Sequence, residues 1–253
     1  AMIRILLSGA CGRMGRQMTA LMDEKKLLIA AGVDARPEDG FPFPVYPAFS
    51  MVTEPADVLV DFSRPEGLRP ALAFAREKKL PVVLAATGYN AQDLQAIAEA
   101  AREIPIFRSA NLSLGIYVLR ELAGRAAALL EGFDIEIIER HHNQKLDAPS
   151  GTALMLYDAV KQPDSQPVYG RHTRTEKRQP TEIGLHAVRG GTLAGEHEVG
   201  FYGAGETVQL IHSAQDRSIF ALGALRAARF IQGRAPGEYE MRDLARALTE
   251  KQE

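Results

Sequence analysis

Short apolar runs alternate with helical patterns over the first part of the chain, from Ile3 to about Asn111. This rhythm is typical of a parallel sheet whose strands are connected by crossover helices. Two of the runs, Val58–Val60 and Val82–Leu84, are continuously apolar, as strands buried on both faces are. The pattern therefore predicts a doubly wound α/β unit. Its strands are expected at Ile3–Ser8, Leu28–Val33, Val58–Phe62, Pro81–Ala85 and Ile106–Ser109, and its helices at Arg13–Met22, Pro65–Lys78 and Ala91–Ala101.

The rhythm changes after Asn111. An alanine-rich helix is predicted at about Leu114–Leu130, and Phe133–Arg140 then alternates apolar and acidic residues, as a strand with one solvent-exposed face does. The polar stretch Gln162–Gln179, with four basic residues in Arg171–Arg178, is predicted to be an exposed, solvated loop. The segments that follow are separated by glycine turns and predict an antiparallel meander, with strands at Ile183–Arg189, Gly195–Tyr202 and Glu206–His212.

The last part of the chain returns to helical patterns, at Ile219–Phe230 and Met241–Leu248. We therefore predict two domains. Residues 1–112 and 221–253 form a discontinuous domain on the doubly wound parallel sheet. Residues 113–220 form an inserted α+β domain built on a mainly antiparallel open sheet.

Composition and charge exclude several classes of protein. The 253 residues are 46% hydrophobic and 25% charged, which are ordinary values for a folded globular protein. Thirty basic and 32 acidic side chains give a net charge of −2, so no overall positive field would hold a nucleic acid. A single cysteine cannot form an intramolecular disulfide, and the apolar run at the N-terminus stops at Leu7, too early for a signal peptide. No stretch approaches the roughly 18 apolar residues of a membrane span, so we expect a cytoplasmic protein with no membrane partner.

A glycine-rich loop, Gly9–Gly15, follows the first predicted strand with the spacing G-x-x-G-x-x-G. Such glycines allow close backbone approach to a pyrophosphate, whose charge then lies at the N-terminus of the next helix. The second strand ends at Asp34, whose carboxylate can accept hydrogen bonds from an adenosine ribose. Cofactor choice stays open, because Asp34 favours NAD, whereas Arg36 or Arg13 could meet the phosphate of NADP. Cys11 is interpreted as a small tolerated side chain of this loop.

The segment Glu139–Thr152 concentrates acid, base and anion-binding groups. His141 and His142, with Lys145, provide a group that titrates near neutrality and a fixed cation. Ser150–Thr152 place hydroxyl and backbone N–H groups at a predicted helix start, where an anion is favoured. This concentration favours an acid–base site that binds a carboxylate over a capped helix beside solvated charges.

No metal site is predicted. Neighbouring His141 and His142 point to opposite sides of a strand, and the sequence has no HExxH pair and no second cysteine. The other histidines are scattered, at His172, His186, His197 and His212.

These residues carry a resemblance to a known family. The chain resembles 4-hydroxy-tetrahydrodipicolinate reductase, also called dihydrodipicolinate reductase, of the diaminopimelate route to lysine. The resemblance spans nearly the whole chain and rests above all on His141–Lys145 followed by Asp147–Thr152. The other matching motifs are Gly9–Gly15, Asp61–Glu66, Ala110–Asn111 before Ser113, Gly195–His197 and Met241–Asp243.

The resemblance implies a Rossmann-like dinucleotide-binding domain and an inserted domain for substrate binding and oligomerisation. It implies an NADH- or NADPH-dependent oxidoreductase, a homotetramer, that reduces a small cyclic dicarboxylate. It makes His141 the proton donor and Lys145 its catalytic partner. The substrate carboxylates would be held by His142, Ser150, Gly151 and Thr152. The cofactor would lie along Gly9, Ala10, Cys11, Gly12, Arg13, Met14, Asp34, Ala85, Ala86, Thr87, Ser109, Ala110, Asn111 and Leu112.

Three positions depart from the family pattern. Ala86 offers no hydroxyl where a threonine is common, Leu112 replaces the usual aromatic residue, and Ala35 stands where some members have an arginine beside the acid. Two alternatives stay open, a homoserine-type dehydrogenase and a nicotinamide-binding regulator without turnover. A phosphorylating semialdehyde dehydrogenase is excluded, because it needs a thiolate in its second domain and the only cysteine is Cys11.

Overall fold

The computed structural model of the chain describes residues 2–22 and 27–250. The chain divides into two compact units, Ala1–Leu114 with Arg217–Glu253, and Gly115–Asp216. The first unit is thus made from two separate parts of the chain, and the second unit is one continuous segment.

The first unit contains a seven-stranded sheet in which every neighbouring pair of strands runs parallel. Its strands are β1 (Ile3–Ser8), β2 (Leu27–Val33), β3 (Val45–Tyr46), β4 (Val58–Asp61), β5 (Val82–Leu84), β6 (Pro105–Arg108) and, from the end of the chain, β12 (Gly237–Tyr239). The strand order is β12-β6-β5-β4-β1-β2-β3. Strands β4 and β5 are buried along their whole length, as their continuous apolar runs require. The predicted doubly wound, Rossmann-like sheet is confirmed.

Helices cover this sheet. They are α1 (Arg13–Ala20), α2 (Leu68–Lys78), α3 (Ala91–Ala101), α6 (Ser218–Ile231) and α7 (Met241–Thr249), with short 3-10 turns at Phe49–Met51 and Pro65–Gly67. Helix α3 begins where the sequence provides a capping box: Asn90 accepts from the Asp93 N–H, and Asp93 accepts from the Asn90 N–H. Buried side chains of β4, β5, α2 and α3, among them Leu59, Leu84, Leu72 and Ile97, form one core cluster of the unit.

The second unit has a five-stranded sheet and two long helices. The strands are β7 (Asp134–His141), β8 (Gln166–Tyr169), β9 (Glu182–Arg189), β10 (Gly195–Tyr202) and β11 (Thr207–Ala214), in the order β11-β10-β7-β9-β8. The helices are α4 (Leu114–Leu129), which begins at the boundary of the unit, and α5 (Gly151–Val160). They pack on one face of the sheet, where Ile137, Val199 and Phe201 are fully buried.

The predicted antiparallel meander is wrong, and the second sheet is mixed rather than mainly antiparallel. Strands β10 and β11 form an antiparallel pair, but β9 pairs parallel with β7, which lies between β9 and β10. The reason lies in the Gly190–Gly191 turn, which crosses the end of β7 instead of closing a hairpin. There the Gly190 N–H donates to the His141 carbonyl, and the Asn143 N–H donates to the Gly191 carbonyl.

The stretch Gln162–Gln179 is also more ordered than the predicted loop. It contains β8, which pairs parallel with β9 at the edge of the sheet. Two of its four basic residues form ion pairs: Arg178 pairs with Asp134 at 2.6 Å and with Glu136 at 3.1 Å, and Arg171 pairs with Glu182. Arg174 and Lys177 are exposed. Only Gln166–Tyr169 of this stretch therefore joins the sheet, and residues 170–181 form an irregular, mostly exposed segment, as predicted.

Candidate active site

The glycine loop after β1 brings backbone segments of the first unit into close contact. Gly9 has a φ of +73°, and a Cβ there would lie 2.8 Å from the carbonyl carbon of Phe62. In the first turn of α1, a Cβ on Gly15 would lie 2.6 Å from the carbonyl carbon of Ala10, and closer still to two carbonyl oxygens of the loop. Only glycine fits at either position, as in phosphate-binding loops that precede a helix.

The N-terminus of α1 fits an anion. Its N-cap residue, Gly12, has no side chain to accept from the first N–H groups, and the first turn contains no acidic residue. These N–H groups carry the positive end of the helix dipole, and Arg13 beside them is exposed. The loop Gly9–Gly15 thus has the features that hold a pyrophosphate.

Asp34 lies at the carboxyl end of β2 and braces this loop. Its carboxylate accepts hydrogen bonds from the N–H groups of Cys11 and Arg36, each at 3.0 Å. Each oxygen keeps a lone pair for a further donor, so the carboxylate can also accept from ribose hydroxyls. Burial raises the pKa of the Cys11 thiol, which agrees with a small, unreactive side chain in the loop.

The other predicted cofactor residues follow β5 and β6 at the same edge of the sheet. The Ala85 N–H donates to the Asp61 carbonyl at 2.9 Å and continues the register of β5 against β4. After β6, the Ser109 hydroxyl donates to the Asn111 carbonyl at 2.7 Å and braces the turn that leads to Leu112. Loops at the carboxyl ends of parallel strands are where such sheets bind nucleotides.

His141 lies in the second unit, at the end of β7, with both ring nitrogens constrained. Its Nδ1 is 2.5 Å from Glu139 Oε2. Its Nε2 faces the backbone of Gly195, where a Cβ would lie only 2.8 Å away. The His197 ring packs edge-on against it, with 5.1 Å between the ring centroids.

Glu139 is completely buried, with 0% of its surface exposed. The two terminal nitrogens of Arg189 donate to its two oxygens, each at 2.7 Å, and the Ser150 N–H donates to Oε1 at 2.9 Å. Burial alone would raise the pKa of Glu139, but the hydrogen bonds from Arg189, His141 and Ser150 hold it below its usual value. Glu139 is therefore a buried carboxylate that stays ionised.

The two facing histidines favour their neutral forms in the free protein. Burial lowers the pKa of His141, while the hydrogen bond to Glu139 opposes that shift. Burial, followed by repulsion from His141, lowers the pKa of His197 to about 4. Glu139 thus favours the protonated form of both rings, but its hydrogen bond is to His141.

Lys145 and the start of α5 bring further polar groups to this end of the unit. Lys145 Nζ donates to Asp147 Oδ1 at 2.8 Å. Ser150 is the N-cap of α5: its hydroxyl accepts from the Ala153 N–H at 3.2 Å and lies 3.1 Å from His197 Nε2. Gly151 and the half-buried Thr152 form the first turn. The loop from β7 to α5, in which His142 also lies, therefore combines a histidine, a lysine and a helix N-terminus.

The sequence predicts no role for Arg189. Glu139, Gly195 and His197 lie in segments that the sequence singles out, but no role in the site is predicted for these three residues. Glu139 was assigned to a solvent-exposed face, and His197 to the scattered histidines. The missing signal is the parallel pairing of β7 with β9, which sets His141 opposite Arg189. Within residues 2–22 and 27–250, no group of three His, Cys, Asp or Glu side chains is arranged to hold a metal ion.

Comparison with known proteins identifies the family of the chain. Residues 3–112 match the family model described as dihydrodipicolinate reductase, N-terminus, and residues 115–245 match the model of its C-terminus. The chain belongs to the dihydrodipicolinate reductase family. A 4-hydroxy-tetrahydrodipicolinate reductase from Caldanaerobacter subterraneus subsp. tengcongensis is 51% identical over 97% of this chain and 99% of its own. Another, from Clostridium tetani, is 45% identical over 95% of this chain and 96% of its own.

A solved dihydrodipicolinate reductase from Paenisporosarcina sp. TG-14, with dipicolinate bound, has the same fold. It covers 95% of this chain and 98% of its own with a TM-score of 0.78, at 23% sequence identity. Dihydrodipicolinate reductases are oxidoreductases of lysine biosynthesis that use NADH or NADPH, so this chain is an NAD(P)H-dependent oxidoreductase. Family membership removes the homoserine-type alternative. Of the helices in the described ranges, none has the length and apolar character needed to cross a membrane.

Proposed function

We propose that this chain reduces 4-hydroxy-tetrahydrodipicolinate, by way of dihydrodipicolinate, to tetrahydrodipicolinate. NADH or NADPH is the reductant, and His141 is the proton donor. The observation that supports this best is the loop from β7 to α5, where His141, Lys145 and a helix N-terminus occur together. Dipicolinate, the ligand of the related Paenisporosarcina protein, belongs to the same class of cyclic dicarboxylates.

The second unit binds the two carboxylates of the substrate. Lys145 provides a cation, and Ser150, Gly151 and Thr152 provide hydroxyl and N–H groups at the start of α5. His142, from the same loop, completes the predicted set. Lys145 is paired with Asp147, so it exchanges one carboxylate partner for another when the substrate binds.

Proton transfer is the task of His141. A bound nicotinamide supplies a hydride to the ring carbon β to the imine carbon, which leaves an enamine. Protonated His141 donates to the adjacent ring carbon, either directly or through a water molecule. Lys145 and the N-terminus of α5 stabilise the negative charge of the substrate during this proton transfer.

The first unit holds the cofactor. The pyrophosphate is assigned to Gly9, Ala10, Cys11, Gly12, Arg13 and Met14, and the ribose to Asp34. The nicotinamide side is assigned to Ala85, Ala86 and Thr87 after β5 and to Ser109, Ala110, Asn111 and Leu112 after β6. Support comes from the close backbone contacts of Gly9 and Gly15 and from the uncapped N-terminus of α1.

We further propose that the enzyme is a cytoplasmic homotetramer that assembles through the second unit's sheet. The face of this sheet opposite α4 and α5 exposes two large apolar side chains, Val188 at 47% and Ile211 at 57%. Contact with another copy would remove both side chains from water. The mass of the particle in solution, measured by light scattering, tests this assignment.

The test of function follows the absorbance of the reduced nicotinamide on addition of freshly made 4-hydroxy-tetrahydrodipicolinate. We expect oxidation of NADH or NADPH with this substrate and none with aspartate semialdehyde alone. His141→Gln should lower kcat by about 10²–10⁴-fold with a modest change in KM. A wild-type enzyme that binds the cofactor but does not oxidise it with this substrate would contradict the proposed reaction. An unchanged kcat in His141→Gln would contradict the proton-donor role.

A further inference from the structure

A buried carboxylate stands behind the proton donor. Glu139 and His141 are two residues apart on β7, so their side chains lie on the same face of the sheet. Glu139 has no exposed surface, and its Oε2 contacts His141 Nδ1 while Arg189 and the Ser150 N–H donate to the same carboxylate. Four hydrogen bonds, one of them with His141, thus fix the position of the Glu139 carboxylate.

These contacts decide which nitrogen of His141 carries the transferred proton. Because three donors besides His141 hold Glu139 ionised, Glu139 can only accept, and His141 Nδ1 has to carry the hydrogen between them. The nitrogen that gains and loses a proton is then Nε2. It faces Gly195, where the absence of a side chain leaves space beside it.

We propose that Glu139 is a positioning residue that fixes the His141 ring with Nδ1 protonated, so that Nε2 delivers the proton to the substrate. This inference rests on the proposed function, in which His141 is the donor. In the step, the Nε2–H bond breaks and its electron pair stays on Nε2. Hydride addition leaves the ring nitrogen of the enamine without a proton. The electron pair of the enamine C=C bond forms the new C–H bond, and the lone pair of that nitrogen forms the C=N bond of the imine. Solvent then returns a proton to Nε2.

Loss of the Glu139 charge should change the pH at which His141 titrates. The charged and titratable groups that face His141 are Glu139 on its own strand, Arg189 on β9, His197 on β10 and Lys145 in the following loop. Among these, only Glu139 favours the protonated ring. Without its charge, His141 loses its proton at a lower pH, and the fraction able to act as an acid at neutral pH falls.

The same strand offers a matched control. Glu136 also contacts a histidine and an arginine: its Oε2 lies 2.7 Å from His186 Nε2, and its Oε1 accepts from Arg178 Nε at 3.1 Å. This second cluster belongs to β7 but is not part of the proposed site. Glu136→Gln therefore removes a charge from a similar glutamate, histidine and arginine cluster on the opposite face of β7, without touching His141.

The experiment compares kcat and kcat/KM across pH for the full-length wild type, Glu139→Gln and Glu136→Gln. We expect Glu139→Gln to lower kcat at neutral pH by about 10–100-fold. The falling limb of its kcat/KM profile should move to lower pH, and its KM for NADH should be unchanged. Glu136→Gln should keep the wild-type kcat and limb. The proposal would be overturned if Glu139→Gln kept the wild-type kcat and the wild-type position of the falling limb. It would also be overturned if the falling limb moved equally in both variants.

A second measurement does not depend on the Glu139 variant folding. Nitrogen NMR of the wild-type enzyme labelled at histidine, with His141 assigned from His141→Gln, should show neutral His141 with its hydrogen on Nδ1. A neutral ring protonated on Nε2 would overturn the proposal. Failure of the proposed function itself is seen separately, as full activity in His141→Gln or as wild-type enzyme without turnover.

Discussion

Replacement of Gly15 by alanine tests how tightly the phosphate loop is packed. The new Cβ would lie 2.6 Å from the carbonyl carbon of Ala10, whereas ordinary van der Waals contact requires 3.4–4 Å. The neighbouring atoms belong to the backbone of the loop, so no side-chain rotation relieves the collision. The first turn of α1 and the loop must therefore separate by about 1 Å. A displacement of this size weakens binding when the displaced groups contact a ligand.

Gly15→Ala should weaken nucleotide binding more than it destabilises the fold. Overpacking costs about 1–3 kcal/mol, and the better helix propensity of alanine returns about 1 kcal/mol, so the fold should persist. A displacement of about 1 Å in a binding geometry can cost about 100-fold. We therefore expect the Kd of Gly15→Ala for NADH and NADPH to rise by about 10–100-fold.

Calorimetric titration of each nucleotide, together with urea unfolding, measures both effects. Gln17→Ala is the matched control, because it adds an alanine to the same helix without this backbone collision, and it should retain wild-type affinity. Binding of dipicolinate to Gly15→Ala, if the wild type binds it, should be unaffected. A wild-type Kd for both nucleotides in Gly15→Ala would refute the assignment of this loop to the pyrophosphate.

Three further predictions concern single side chains. Asp34→Ala should raise the KM for NADH by about tenfold or more and the KM for NADPH by less, because the lost carboxylate accepts hydrogen bonds from the unphosphorylated adenosine ribose. An unchanged NADH-to-NADPH ratio of kcat/KM would contradict this role. Lys145→Ala should raise the substrate KM by about 10–100-fold and also lower kcat, and full affinity in that variant would exclude a carboxylate contact. Burial lowers the pKa of His197 from 6.5 to about 4, so the unfolded chain binds a proton that the folded chain excludes. The free energy of unfolding should therefore decrease by about 3 kcal/mol as the pH falls from 6.5 to 4; urea titrations should show this loss in the wild type and a smaller one in His197→Gln.

The parts of the fold that the sequence predicts are those in which a local pattern carries the structural information. Continuous apolar runs such as Val58–Val60 mark buried parallel strands, and glycines at Gly9 and Gly15 mark the tight turn into α1. The short strands β3 and β12 were missed, and so was the edge strand β8, where Gln166 and Tyr169 are exposed and no apolar alternation develops. Edge strands bury little surface, so their composition resembles that of a loop.

The residues of the candidate site likewise differ in whether a local pattern reveals them. His141, Lys145 and Ser150 occur within one short segment and could be found as a motif. Arg189 could not, because it meets His141 only through the pairing of β7 with β9. The glycine turn after Arg189 suggested a hairpin, yet the chain crosses the end of β7 before it forms β10. The choice of strand neighbour depends on packing of the whole sheet, which short-range patterns do not encode.

The placement of β12 beside β6 has a consequence for synthesis of the chain. Gly237 pairs with Pro105, so the parallel sheet of the first unit gains its last strand only after the whole second unit has been made. During translation, the edge of β6 stays uncovered while residues 115–216 emerge as a continuous segment that can collapse by itself. We expect chains that end before Gly237 to aggregate more readily than the full-length chain, because the edge of β6 stays unpaired in them.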